Sequence, residues 1–169
     1  MNTICFKDYA DEDCLHIQNG STSMLINILC LSGGRLAETE SQKRLMVFLA
    51  EKNQSVVGIG TVGFNIVDIP WDRHSFHEDK AFMLRVIEGA KNKLGWETLG
   101  YSPNEEYAEE FLGTFRKLIE RMTADDIIDA SLDEWLSEAD ENDPVKCGFP
   151  KCAVHDTYLS IHGCQVCTD

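Results

Sequence analysis

Between residues 147 and 167 the chain carries cysteines at 147, 152, 164 and 167 and histidines at 155 and 162. Cys152-x-x-His155 and Cys164-x-x-Cys167 are two donor pairs, each with a gap that lets one tight turn aim both side chains at a single ion. Thiolates and a neutral imidazole are the soft donors that Zn²⁺ prefers. The expected site is therefore a compact tetrahedral zinc loop with ligands Cys152, His155, Cys164 and Cys167. Cys147 and His162 are spare donors, either of which can replace one of the four. Gly148, Pro150 and Gly163 stand beside the pairs, where tight turns are needed.

The tail holds few apolar residues of its own, Phe149, Val154, Tyr158, Leu159 and Ile161. A segment this small normally needs a metal or a disulfide to hold one shape. A catalytic zinc keeps one coordination position open and has an acid or base beside it. Four donors and no nearby glutamate point instead to a closed, structural site. The His-x-Glu and Pro-Cys-x-x-Cys pattern of zinc deaminases is absent. The tail resembles zinc-knuckle sites, which occur in unrelated proteins and transfer no function.

Two other stretches invite a chemical reading. His74-Ser-Phe-His77-Glu78 brings two histidines and a glutamate together, but the order matches neither H-E-x-x-H nor H-x-x-E-H. Ser75 and Glu78 also have the spacing of a helix capping box, which explains the glutamate without catalysis. The enzymatic alternative is a zinc-dependent, hydrolase-like protein that uses His74, His77 and the tail donors around one metal. Gly58-x-Gly60-x-x-Gly63 has the glycine spacing of a dinucleotide loop but no strong strand before it and no helix directly after it. A buried, tightly packed hairpin or irregular core segment is expected there. Neither a G-x-S-x-G nor a G-x-x-x-x-G-K-[ST] motif occurs.

The elements that must position these residues are mostly helices. Met24, Leu25, Ile28, Leu29 and Leu31 recur at the helical period, with Gly33-Gly34 as a stop signal and Cys30 as a buried structural thiol. Thr39 and Gln42 form a capping box before a stripe of Leu45, Phe48 and Leu49. Phe82, Met83, Val86, Ile87 and Ala90 form the buried face of a third helix that runs to about Lys93. Tyr107, Phe111, Phe115, Leu118, Ile119 and Met122 mark a fourth over more than four turns. Thr123-Ala-Asp-Asp126 caps a fifth, with Ile127, Ile128, Leu132, Trp135 and Leu136 facing inward. Ile4, Phe6 and Tyr9 suggest a short strand, and Trp96, Leu99 and Tyr101 another that pairs with residues 55–62. The expected fold is mainly α, or α+β with one small two-stranded element. It comprises a helical domain over 1–144 and a small zinc-binding tail over 145–169 packed on it.

Charge narrows the function classes. The 169 residues carry a net charge of −14, and no basic stripe is present, so a nucleic-acid surface is not expected. Residues 104–143 hold fourteen acids against Arg116, Lys117 and Arg121, a local balance of −11. Such concentration suits an electropositive protein partner. The expected partner-facing residues are Glu105, Glu106, Glu109 and Glu110, with Asp125, Asp126, Asp129, Asp133 and Glu134. No apolar run is long enough for a membrane span, and the N-terminus lacks a signal-peptide pattern. A cytoplasmic setting with reduced thiols is expected, and seven cysteines do not suit a closed disulfide framework. The leading expectation is a non-enzymatic binding protein, such as an inhibitor or immunity protein that neutralises a basic toxin or nuclease. Oligomeric state is not legible.

Overall fold

The computed structural model describes residues 1–168. In chain order the elements are β1 (Asn2–Cys5), β2 (Leu15–Ile17), α1 (Asn19–Leu36), α2 (Glu40–Glu51), β3 (Asn53–Gln54), β4 (Gly60–Thr61), β5 (Phe64–Asn65), α3 (Phe76–Lys91), α4 (Glu105–Arg121) and α5 (Asp129–Glu138). Short 3₁₀ turns link them. The mainly helical expectation holds, with somewhat more strand than anticipated. One sheet runs β2-β1-β5 and a second is the β3-β4 hairpin. In the first, Ile4 lies opposite Leu15 in the antiparallel pair and beside Phe64 in the parallel pair.

Helix α1 is the axis of the molecule. Leu25, Ile26, Ile28, Leu29 and Leu31 are essentially inaccessible, and a helix apolar on every side must be surrounded. Its α3 neighbour brings Phe82, Met83, Val86 and Ile87, and α4 brings Phe115, Leu118 and Ile119, into one core cluster. Helix α2 opens with the expected capping box, in which Thr39 accepts from the Gln42 N–H and Gln42 reaches back.

Gly33-Gly34 do not stop α1, which continues to Leu36. Instead the missing side chains let neighbours approach. A Cβ on Gly34 would collide with the carbonyl oxygen of Asp156, in the tail. Lys151 donates to the Gly34 carbonyl at 2.6 Å, and Arg35 bridges the Leu31 and His155 carbonyls at 3.0 Å each. The tail is thus seated on the last turns of the central helix.

Other expectations change locally. Ser75 does not cap α3 with Glu78; its hydroxyl donates to buried Asp79, and the N–H of His74 is held by Asp72. Trp96–Thr98 is a 3₁₀ turn, not a strand paired with residues 55–62. The glycine-rich stretch forms the tight β3-β4 hairpin, but Val57 and Ile59 are exposed, not buried. Gly63 is required by close approach, because a Cβ there would meet the backbone of Thr3. Along the α4 stripe Tyr107 is exposed. In α5 no residue is fully buried, and Ile128 just before it is exposed. Cys5 and Cys14 form a disulfide, contrary to the expectation of reduced thiols throughout, because the β1-β2 pairing brings their Cα atoms to 4.3 Å. Among the described residues no helix is long and apolar enough to cross a membrane.

Replacing Gly34 by alanine should destabilise the protein by about 1–3 kcal/mol through overpacking against Asp156. The same change at Gly113, in α4 with open space around it, should stabilise by roughly 0.5–1 kcal/mol. Urea denaturation of both variants checks this; equal effects would mean that the tail does not press on α1.

Candidate metal centre

Two short turns build the cluster. In the first, the Cys152 N–H donates to the Thr157 carbonyl and the Asp156 N–H to the Cys152 carbonyl, at 2.8 and 2.9 Å. Asp156 adopts a positive φ of 56° to close it. In the second, Ser160 pairs with Gly163, and a 3₁₀ turn over Gln165–Thr168 returns Cys167 towards Cys164. Phe149 and Tyr158 pack edge to face beneath the first turn, and Tyr158 joins the main core.

These turns bring together the donors of Cys152, His155, Cys164 and Cys167, all within 4.8 Å of one another. The His155 Nδ1 lies 3.6 Å from Cys152 Sγ, 3.6 Å from Cys164 Sγ and 3.3 Å from Cys167 Sγ. Cys152 and Cys167 sulfurs are 3.5 Å apart. An ion bound tetrahedrally at about 2.3 Å from sulfur and about 2.0 Å from nitrogen sets S···S near 3.8 Å and S···N near 3.5 Å. These four of the six edges lie close to those of such a tetrahedron, and the cluster could hold a metal ion. His155 and Cys164 are buried and Cys167 faces outward.

Electrostatics favour a cation in the same place. Burial opposes the Cys152 thiolate, but backbone N–H groups of His155 and Val154, with the His155 and Cys167 side chains, bring the thiol down to about 6. Partial burial, with Cys152 and Cys164 beside it, pushes Cys167 up to about 12. Crowded thiols resist ionising together unless a positive ion lies among them. Thr157 supports the cluster from outside, with its hydroxyl 3.4 Å from Cys164 Sγ. Cys30 also lies near: burial and then the charge of Cys164 push its thiol well above the ordinary range, which keeps it an inert core group.

No protein-family model, no curated protein and no solved structure matches the chain.

The spare donors stand apart. Cys147 is exposed, with its sulfur 3.4 Å from the Glu141 carbonyl, and His162 lines a neighbouring cavity. His74 and His77 are exposed on the 3₁₀ turn and first turn of α3 and do not join the four donors. The acidic residues divide. Glu105 pairs with Lys93, Glu109 with Lys91 and Asp129 with Arg73, while Asp126 caps the turn that begins at Thr123. Glu106, Glu110, Asp125, Asp133 and Glu134 are exposed, with no ion pair among the described residues. Sequence reasoning missed Arg35, Lys151 and Thr157 as supports, because each acts across the fold through a backbone carbonyl or a sulfur. It also missed the cavity beside the tail, whose walls come from three separated segments.

One metal ion per chain is expected by elemental analysis. Cys152→Ser, Cys164→Ser and Cys167→Ser should each weaken chelator-competed affinity by more than about 100-fold. Cys147→Ser should leave it unchanged. Full affinity in the three ligand variants would exclude this cluster.

Proposed function

We propose that this chain is a non-enzymatic protein-binding protein, an acidic inhibitor or immunity protein that neutralises a basic toxin or nuclease. In this reading the tail cluster holds Zn²⁺ as a closed structural site. The observation that carries the function is the concentration of unneutralised acid: fourteen acids against three bases in residues 104–143. Intramolecular pairs absorb some of it, and surface pairs of this kind contribute little to stability. Glu106, Glu110, Asp133 and Glu134 remain outward-facing without a cation, on a stable helical support. A uniform negative field of this kind repels phosphate and attracts a cationic protein. Association is then fast and directional, and the bound chain occludes the partner's own site.

Zinc is the metal of choice because three thiolates and one imidazole in a tetrahedron are its usual structural set. Four protein donors fill that tetrahedron and leave no position for water, so the metal serves the fold. It clamps residues 152–167 so that Lys151 and Arg35 can tie the tail to α1.

Purified cationic nucleases assayed with and without the chain test the reading. The expected result is a one-to-one inhibitory complex whose association rate falls at least about tenfold between roughly 20 and 300 mM salt. Combining Glu106→Lys, Glu110→Lys, Asp133→Lys and Glu134→Lys should slow association at low salt and leave the helical circular dichroism intact. A rate indifferent to ionic strength contradicts electrostatic steering.

A further inference from the structure

A cavity of about 210 Å³ opens beside the metal centre, between the end of α2, the end of α5 and the tail. Its walls include Glu51, Glu138, Asp143, Trp135, Ile161 and His162. We propose that this cavity is the binding site for one basic side chain, an ammonium or a guanidinium, presented by the protein partner. The partner clause rests on the function proposed above; the cation site rests on the cavity itself.

Lys52 also lines the cavity and its charge acts on Glu51 and Glu138, but no cation lies within ion-pair distance of these carboxylates among the described residues. Glu51 Oε2 accepts from the Trp135 indole N–H at 3.0 Å, and Asp143, only 6% exposed, accepts from the Val145 N–H. Among the described residues no ion pair reaches Glu51, Glu138 or Asp143. The Lys52 ammonium rests 4.4 Å above the Phe48 ring. Buried carboxylates are ordinarily paired or metal-bound, because burial penalises the charged form. Burial pushes the Glu51 carboxyl up to about 7, opposed by the Trp135 hydrogen bond and Lys52 and reinforced by Asp143 and Glu138.

The shape fits an organic cation better than a bare metal ion. Trp135 already occupies one Glu51 oxygen, and Trp135, Val145, Ala139 and Ile161 offer no oxygen ligand from their side chains. Those walls suit an alkyl stem, while the acids and the indole suit a positive head. The volume accommodates the end of one lysine or arginine side chain. The cavity also lies along α5, next to Asp133 and Glu134 in sequence, so a partner drawn to those acids could seat a basic residue here.

A cation stabilises ionised Glu51, so binding below pH 7 must first release its proton. Affinity should therefore rise about tenfold from pH 6 to pH 8. The groups facing Glu51 are Asp143, Glu138, Lys52, the Trp135 N–H and His162, and Glu51→Gln separates its own titration from theirs. Glutamine can still accept the Trp135 hydrogen bond, so the variant should keep the fold.

The test is a titration of the zinc-loaded full chain, read from the Trp135 indole N–H resonance. The probes are n-butylguanidinium, n-butylammonium, the neutral isostere n-butanol, and Ca²⁺. Both organic cations should shift the resonance saturably and n-butanol should not. Glu51→Gln should weaken cation binding at least tenfold at pH 8 and flatten its pH dependence. An equal response to n-butanol would mark an apolar hollow, and saturation by Ca²⁺ alone a metal site; either overturns the proposal. So does unweakened binding in Glu51→Gln, or no saturable response to either cation, even if nuclease inhibition stands. Cation entry without inhibition of any basic protein would support the cation site and remove the function proposed above instead.

Discussion

Three sulfurs and one imidazole nitrogen held within 4.8 Å form the constraint on which the end of the chain depends. Burial opposes ionisation of both outer thiols, but hydrogen bonds from the backbone N–H groups of His155 and Val154 draw Cys152 down, while burial and the neighbouring sulfurs drive Cys167 up. A divalent cation turns that repulsion into four bonds. The tail has too little apolar surface to replace them, since Val154 and Ile161 face solvent and only a few residues, Tyr158 and Val166 among them, are buried.

The same centre couples outward to the core. His155 is at once a donor in the cluster and, through its carbonyl, a partner of Arg35 on α1. Asp156 follows it, and its backbone fills the space that Gly34 leaves open. Lys151 then joins the Gly34 carbonyl to the Asp156 carboxylate. A change at the metal is therefore felt at the C-terminal end of the most buried helix. The neighbouring cavity lies between the ends of α2 and α5, closed on one side by Ile161 and His162 of the same tail.

The helices were legible because amphipathic stripes and caps are local. Thr39 with Gln42 marks a start that the structure keeps. The donor quartet was legible for the same reason, as each pair needs only one turn. Pairing across distance was not. Nothing in the sequence places Cys14 opposite Cys5, and β5 finds β1 only after two helices and a hairpin intervene. Gly33-Gly34 read as a terminator because the sequence cannot show that Met46 and Asp156 need the space. Ser75 read as a cap for Glu78 because buried Asp79, the stronger claimant for its hydroxyl, lies one residue further on.

The surface and the centre divide the work in this account. The helices of residues 104–143 carry the concentrated acid, and the tail seated on α1 carries the four clustered donors. Whether these four donors close the shell of a bound zinc ion is read directly by X-ray absorption at the zinc edge of the loaded protein. A closed site gives a four-coordinate shell of three sulfurs at about 2.3 Å and one nitrogen at about 2.0 Å. A shell containing a water oxygen, or one dominated by oxygen and nitrogen, would contradict it.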